Sequence, residues 1–171
     1  VSSCEDMLDT KSDDYIFDDD LHINTANDSL YSVMGILAQQ QRLAERYVLF
    51  GELRGDLVEV PPTANYSLQE IAQFNISADN DYLSRADYYN VINNCNYAIA
   101  RMDTSIVLHN NKVMMSDYVG IRSVRAWTQM QVALNFGELT WYTDPITTVD
   151  GANANYPVLP FDAALDRILQ D

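Results

Sequence analysis

The chain carries little positive charge. Ten Lys and Arg residues stand against 25 Asp and Glu among 171 residues, which gives a formal net charge of -15 at pH 7. This excess of negative charge repels phosphate backbones and anionic membrane surfaces, so nucleic acid is a poor partner. The chain also lacks an apolar run long enough to span a bilayer. Any attachment to a membrane must therefore come through lipid or through another protein.

Residues that carry common catalytic and metal chemistry are scarce. Neither His22 nor His109 has a Ser, a Cys or a second His at a meaningful spacing, and no glycine-rich phosphate loop or nucleophile elbow occurs. The many acidic residues make candidate carboxylate pairs easy to draw, so such pairs do not indicate a glycosidase. Asp18-Asp19-Asp20 lacks the alternating spacing and the glycine of a calcium loop. The sequence predicts a protein that is not an enzyme and that needs no metal or cofactor.

Only two cysteines are present, and the first lies in an informative context. Val1-Ser2-Ser3-Cys4 looks like the end of a bacterial lipoprotein signal, in which the cysteine thiol accepts the lipid; the alternative is an ordinary unmodified thiol. A disulfide with Cys95 would require Cys4 to be free, and Cys95 falls on an apolar helix stripe that favours burial. We expect residues 1–23 to form a lipoprotein leader and acidic tether, and residues 24–171 to form one domain.

Hydrophobic residues at intervals of three and four predict four helices. We expect the first from Asn27 or Asp28 to about Phe50, the second from a capping box at Ser84–Asp87, the third over residues 113–136 after a turn at 109–112, and the fourth from Pro160. A long, mostly irregular loop spans residues 57–84, with a short turn near 68–74, and a second loop spans 141–156. The first helix is expected to bury a face made of Leu30, Val33, Met34, Leu37, Ala38, Ala44 and Val48.

The order of these elements is typical of helical-repeat proteins. Two long helices joined by a tight turn, with the second packed on two sides, form the repeating unit of such folds. The predicted fold class is all-α, with antiparallel helix pairs of the tetratricopeptide type in an α-α superhelix. The apolar stripe of the fourth helix has no partner in the sequence that follows, so we expect the chain to be a truncated, N-terminal fragment of a larger protein.

Several motifs, in order along the chain, resemble the SusD/RagB family of outer-membrane nutrient-binding lipoproteins of Bacteroidetes. The motifs are Ser3–Asp9, Glu52–Asp56, Tyr89-x-x-Ile92-x-x-x-Asn96, Arg122–Ala126, Asn135–Glu138 and Val158–Asp171. The chain has Gly120 where the family usually has an acidic residue, so we expect Arg122 or Arg125 to use a different acidic neighbour. The family's Gly-Asp-Val-Pro is here Gly137–Thr140, so we expect the following loop to be rebuilt.

The resemblance implies a surface-exposed lipoprotein of the outer membrane, anchored through Cys4. Such a protein would bind an oligosaccharide or another nutrient and deliver it to a SusC-like TonB-dependent transporter. Aromatic rings stack on the C–H faces of sugars and polar side chains bind the hydroxyls. The candidate ligand-binding residues on the two loops are Tyr66, Asn75, Asp79, Asn80, Tyr82, Trp141 and Tyr142. Packing or solvent exposure also accounts for each of them. The alternative function is a helical-repeat module that binds the transporter complex and never contacts sugar.

Overall fold

The computed structural model describes residues 22–55, 57–108, 111–112 and 114–171, so Cys4 and most of the predicted leader lie outside the described residues. The described chain is mostly helical, which confirms the coarse fold prediction. Its helices are α1 (Ala26–Arg42), α2 (Ala44–Glu52), α3 (Tyr66–Ala72), α4 (Ala86–Arg101), α5 (Met115–Phe136), α6 (Val149–Ala152) and α7 (Phe161–Gln170). Its strands are β1 (Val107–Leu108), β2 (Asn111–Lys112), β3 (Glu138–Thr140) and β4 (Val158–Pro160).

The strands are the main departure from an all-α fold. Strands β1 and β2 form a small antiparallel hairpin at the predicted turn between α4 and α5. Strand β3 pairs antiparallel with β4, with Leu139 opposite Leu159. Gly137 ends α5 in the left-handed conformation (φ 76°), which glycine adopts without strain. This turn directs β3 back along the body of the protein, so that β4 can pair with it and lead directly into α7.

The first predicted helix is interrupted, and its predicted buried face was largely wrong. Leu43 ends α1 and precedes α2. The buried residues of the two helices recur every seven positions and are Ser29, Ile36, Leu43 and Phe50. Four of the apolar residues predicted to be buried are instead about half exposed, namely Leu30, Met34, Leu37 and Val48. The core contacts a neighbouring face of this helical segment, and much of the segment's most apolar face is exposed to solvent.

Helix α4 follows its predicted pattern closely. Tyr88, Val91, Ile92, Cys95 and Ala98 are all at most 3% exposed and belong to the main hydrophobic core. The expected capping box does not form, because Arg85 precedes α4 in helical backbone conformation and no side chain caps the first turn. The carboxylate of Asp87 lies 3.7 Å from the guanidinium of Arg46 instead.

Helix α5 packs against α1, α2, α4 and α7, as its two apolar sides predicted. Its buried side is more polar than expected, since Arg125, Thr128 and Gln129 are at most 2% exposed beside Ile121 and Val132. Val119, which was expected to be buried, is 54% exposed. Because the core contains these polar groups, the seam between α4 and α5 depends on side-chain hydrogen bonds as well as on apolar contact.

A second, smaller hydrophobic cluster lies under the long loop. It contains Phe50, Leu53, Ile71 and Tyr82, and Ile71 is fully buried. The loop is more regular than predicted, since α3 and a 3₁₀ turn at Asp81–Leu83 both lie within it. Among the helices in the described ranges, none is both long enough and apolar enough to cross a membrane.

Candidate functional site

The loop that follows β3 is fixed to α4 by hydrogen bonds from one face of that helix. Asn93 makes two bonds to Ile146, with its amide donating to the carbonyl (2.9 Å) and its oxygen accepting from the backbone N–H (2.7 Å). The Tyr89 hydroxyl accepts from the N–H of Thr140 at 2.9 Å. The Asn96 amide donates to the carbonyl of Tyr142 at 3.3 Å. These contacts hold residues 140–146 in one position, although they form no regular structure beyond β3.

A surface groove of about 290 Å³ lies between this loop and the C-terminal end of α7. Its lining residues are Trp141, Thr143, Arg167, Gln170 and Asp171. The β3–β4 pairing positions Trp141, because its N–H donates to the carbonyl of Pro157 at 2.9 Å. The guanidinium carbon of Arg167 lies 5.6 Å from the centroid of the Trp141 ring. An aromatic ring and several hydrogen-bonding side chains therefore meet at one opening.

The back of the groove is held by an ion-pair network. Arg125 of α5 donates to the Asp171 carboxylate at 2.5 Å and to the Asn96 oxygen at 2.8 Å. Arg122 donates to the other Asp171 carboxylate oxygen at 3.4 Å. Asp171 is thus the acidic neighbour that the sequence required in place of an acidic residue at Gly120. Because Asn96 also bonds to Tyr142, one network connects the groove wall, the core of α5 and the rebuilt loop.

Tyr142, the neighbour of Trp141, is a core residue. It is 8% exposed, its ring stacks with that of Tyr89, and its hydroxyl donates to the Tyr89 carbonyl at 3.3 Å. Burial raises the pKa of its hydroxyl well above the ordinary value. Of this pair, Trp141 is therefore the residue that lines the surface groove, and Tyr142 is part of the core.

The loop over residues 57–84 is organised around Glu70, which is only 5% exposed. Its carboxylate accepts hydrogen bonds from the Asn80 amide and from the Ser77 hydroxyl, both at 2.8 Å. These bonds lower the pKa of Glu70, with that from Asn80 contributing most. Asn80 also donates to the Ser67 carbonyl and accepts from the N–H of Tyr82. The carboxamide of Asn80 is therefore fully used in holding the loop together.

Tyr82 likewise has a structural contact. Its hydroxyl donates to the Glu45 carboxylate at 2.7 Å, and its ring is 8% exposed. Burial, and then the bond to Glu45, raises its pKa to about 12. It forms one side of a polar groove of about 300 Å³ together with Arg42, Arg46 and Asp81.

The remaining predicted residues of this loop are exposed. Tyr66 begins α3 and is 73% exposed, and Asn75 and Asp79 are also exposed. Asn65 caps α3 by accepting a hydrogen bond from the N–H of Leu68 at 2.9 Å. Of the predicted residues, Tyr66, Asn75 and Asp79 therefore lie in solvent, on a base that Glu70 holds in place.

The sequence did not single out Phe74, which lies between α3 and Asn75. Phe74 has a positive φ of 55° and is 70% exposed. Its N–H donates to the Ile71 carbonyl at 3.1 Å and that of Asn75 to the Glu70 carbonyl at 3.0 Å, the pattern of a Schellman helix end, where glycine is usual. A large apolar residue in a left-handed conformation is uncommon and costs about 1–3 kcal/mol. No sequence signal for this conformation exists, because the local pattern predicts only the end of a helix.

The structure does not place all the predicted residues in one site. Tyr82 belongs to the small cluster under the long loop, whereas Tyr142 belongs to the main core and the partly buried Trp141 packs against that core. Arg167, which the sequence analysis also overlooked, is brought to Trp141 by the β3–β4 pairing, a contact between distant parts of the chain. Within the described ranges, no three His, Cys, Asp or Glu residues converge in a way that could hold a metal ion.

Comparison of the chain with protein-family models, with curated proteins and with solved structures gives no match. The basis for assigning a function is therefore the fold, the exposed residues of the loop over 57–84 and the groove beside Trp141.

Proposed function

We propose that this chain binds glycan without catalysis, as the N-terminal, tetratricopeptide-like part of a SusD-like lipoprotein. In this proposal Cys4 carries the lipid, the protein stands on the outer face of the outer membrane, and the bound nutrient passes to a SusC-like TonB-dependent transporter. The helical fold and the order of the sequence motifs support the proposal. The negative charge of the chain is compatible with neutral sugars as ligands, because their hydroxyl groups carry no charge to be repelled.

The observation that carries the proposal is the exposure of Phe74 in a left-handed conformation. A position that favours glycine instead holds a large ring, and that ring contributes little to the core because it is 70% exposed. Strain of this kind is found where a residue has a functional role that outweighs its cost in stability. An aromatic ring exposed to solvent is suited to stack on the apolar face of a sugar.

Nearby residues supply the polar contacts that a sugar also requires. Asn75 follows Phe74 directly, and Tyr66 lies at the other end of α3, a helix about 10 Å long. The distance is comparable with the length of a short oligosaccharide. Tyr66, Phe74, Asn75 and Asp79 therefore form the first candidate surface, and Trp141 with the α7 groove forms the second.

The test is a glycan array followed by calorimetry on the full-length protein, with two variants at Phe74. Phe74→Gly relieves the backbone strain, so its thermal stability should equal or exceed that of the wild type while its glycan affinity falls. Phe74→Tyr keeps the ring and should retain affinity. Absence of binding to any glycan, together with stable association with the transporter, would reject the proposal. Unchanged affinity in Phe74→Gly would reject the role of this surface.

One observation favours a second candidate function, a protein-interaction module of the transporter complex without sugar contact. The outward side of α1 presents Leu30, Tyr31, Met34 and Leu37, each 47–69% exposed. Apolar side chains grouped on one helix face are typical of protein contacts. If the α1 face contacts the SusC-like transporter, Met34→Glu should weaken co-purification with it, and the full-length protein should bind no glycan on the array. Glycan binding by the full-length protein, or unchanged co-purification of Met34→Glu, would exclude this second function.

A further inference from the structure

The groove beside Trp141 combines an aromatic ring with an uncommitted cation. We infer that this groove selects acidic sugars, with Trp141 contacting the sugar ring and Arg167 binding a carboxylate such as that of a uronic acid. This inference rests on the proposed glycan-binding function and names the class of ligand for one of its two surfaces.

Arg167 is the residue that carries the argument. Among the described residues Arg167 forms no ion pair or hydrogen bond, and its guanidinium carbon lies 5.6 Å from the centroid of the Trp141 ring. The distance of 5.6 Å is long compared with the 3.7 Å between Arg101 and the Tyr97 ring. The guanidinium is therefore not closely stacked, and its N–H groups remain available. Arginine binds a carboxylate through two parallel hydrogen bonds, which adds geometric selectivity to the charge attraction.

The local charge of the groove is opposite to that of the chain. Arg122 and Arg125 both bind the single carboxylate of Asp171, and Arg167 adds a third guanidinium. At the opening itself Arg167 is the lining cation and Asp171 the lining anion, and Asp171 is neutralised from behind by Arg122 and the buried Arg125, in a chain whose net charge is -15. Exposed charges beyond about 8 Å are largely screened at physiological ionic strength, so the groove residues dominate what a bound sugar experiences.

The other acidic residues of this region do not line the groove. Asp162 and Asp166 are exposed on α7 and Asp144 is exposed in the loop, whereas Asp171 is the acidic residue among the five that form the lining. Asp171 is already paired with two arginines, so it does not repel an incoming carboxylate as a free anion would. A volume of about 290 Å³ is near the lower end of small-molecule sites and suits a single sugar residue of a longer chain.

The experiment compares matched acidic and neutral oligosaccharides by calorimetry on the full-length protein. The pairs are trigalacturonate with α-1,4-galactotriose, and cellotriose with its C6-oxidised counterpart. In at least one pair the acidic sugar should bind about tenfold more tightly, as one charge-assisted contact provides. Arg167→Met should remove this preference, and Trp141→Ala should weaken both members of the pair. Lys112→Met, which makes the same change in net charge outside the groove lining, should retain the preference.

The outcomes separate the inference from the function on which it rests. Equal or weaker binding of the acidic sugar in both pairs, or an unchanged preference in Arg167→Met, overturns the inference; glycan binding on the array would leave the proposed function standing. An acidic tripeptide that competes better than either acidic sugar would also overturn it, since the ligand class would then be a peptide. A negative glycan array overturns the proposed function itself.

Discussion

Replacing Asp171 with Asn tests the buried ion-pair network that supports the Trp141 groove. The change keeps the size of the side chain but removes the negative charge that faces Arg125. The Arg125 side chain is only 3% exposed, so its guanidinium would keep its charge with one neutral partner, Asn96, and little access to water.

The expected loss of stability follows from the burial of the two groups. Leaving a buried charge without its partner costs about 3–5 kcal/mol when both groups are fully enclosed. The Asp171 side chain is 14% exposed, so water offsets part of this cost and we expect about 2–4 kcal/mol. Arg125→Met removes the buried charge itself and leaves Asp171 paired with Arg122. This second variant should lose about 1–2 kcal/mol, mainly because Asn96 loses a hydrogen-bond donor.

Urea denaturation of both variants and of the double variant, followed by circular dichroism, measures these differences. With a slope of about 2 kcal/mol per molar urea, Asp171→Asn should lower the midpoint by about 1–2 M. The double variant should resemble Arg125→Met, so the coupling energy between the two residues should equal the loss in Asp171→Asn, about 2–4 kcal/mol. A smaller loss in Asp171→Asn than in Arg125→Met would refute the reasoning, because it would mean that the guanidinium is well solvated without its partner.

Three further predictions concern other parts of the fold. Gly137→Ala should lower the free energy of unfolding, measured by thermal denaturation, by about 1 kcal/mol. This loss comes from the backbone conformation (φ 76°) alone, because a Cβ there would meet no atom within 4 Å. A loss above about 3 kcal/mol would indicate a steric clash instead. Gln129→Met should raise the melting temperature by a few degrees, because both polar atoms of this fully buried amide lack a partner among the described residues. A lowered melting temperature would indicate instead that the amide is hydrogen-bonded. The pKa of Tyr82 is raised from 10.0 to about 12, so its contribution to stability is complete below pH 10 and is lost as the pH rises towards about 12. Tyr82→Phe should therefore make the decline of the urea midpoint at alkaline pH shallower. An unchanged decline would contradict this assignment.

Helix α4 shows what the sequence predicts well. Its apolar residues are also the residues that pack, because α1 and α5 cover the same side of the helix that the three-and-four pattern marks. The position of Trp141 in a loop and the start of the last helix after Pro160 were also predictable, since proline favours the first turn.

Helix α1 shows where the same reasoning fails. The apolar pattern indicates Leu30, Met34 and Leu37, whereas the buried seam begins with a polar residue, Ser29, whose hydroxyl donates to Asp117 of α5 at 2.7 Å. A hydrogen bond across helices leaves no periodic signal in a hydrophobicity pattern. The groove was unpredictable for a related reason, since Arg167 and Trp141 meet only because β3 pairs with β4. The left-handed Phe74 breaks a local preference, and no pattern marks such an exception.

The antiparallel pairing of β3 with β4 joins the two ends of the loop over residues 141–157 by backbone hydrogen bonds. A longer loop between these joined ends would therefore cost little stability, about 0.6 kcal/mol for each doubling of the length of a flexible loop. The segment around α6 should therefore tolerate insertions while the helices beneath it keep their positions.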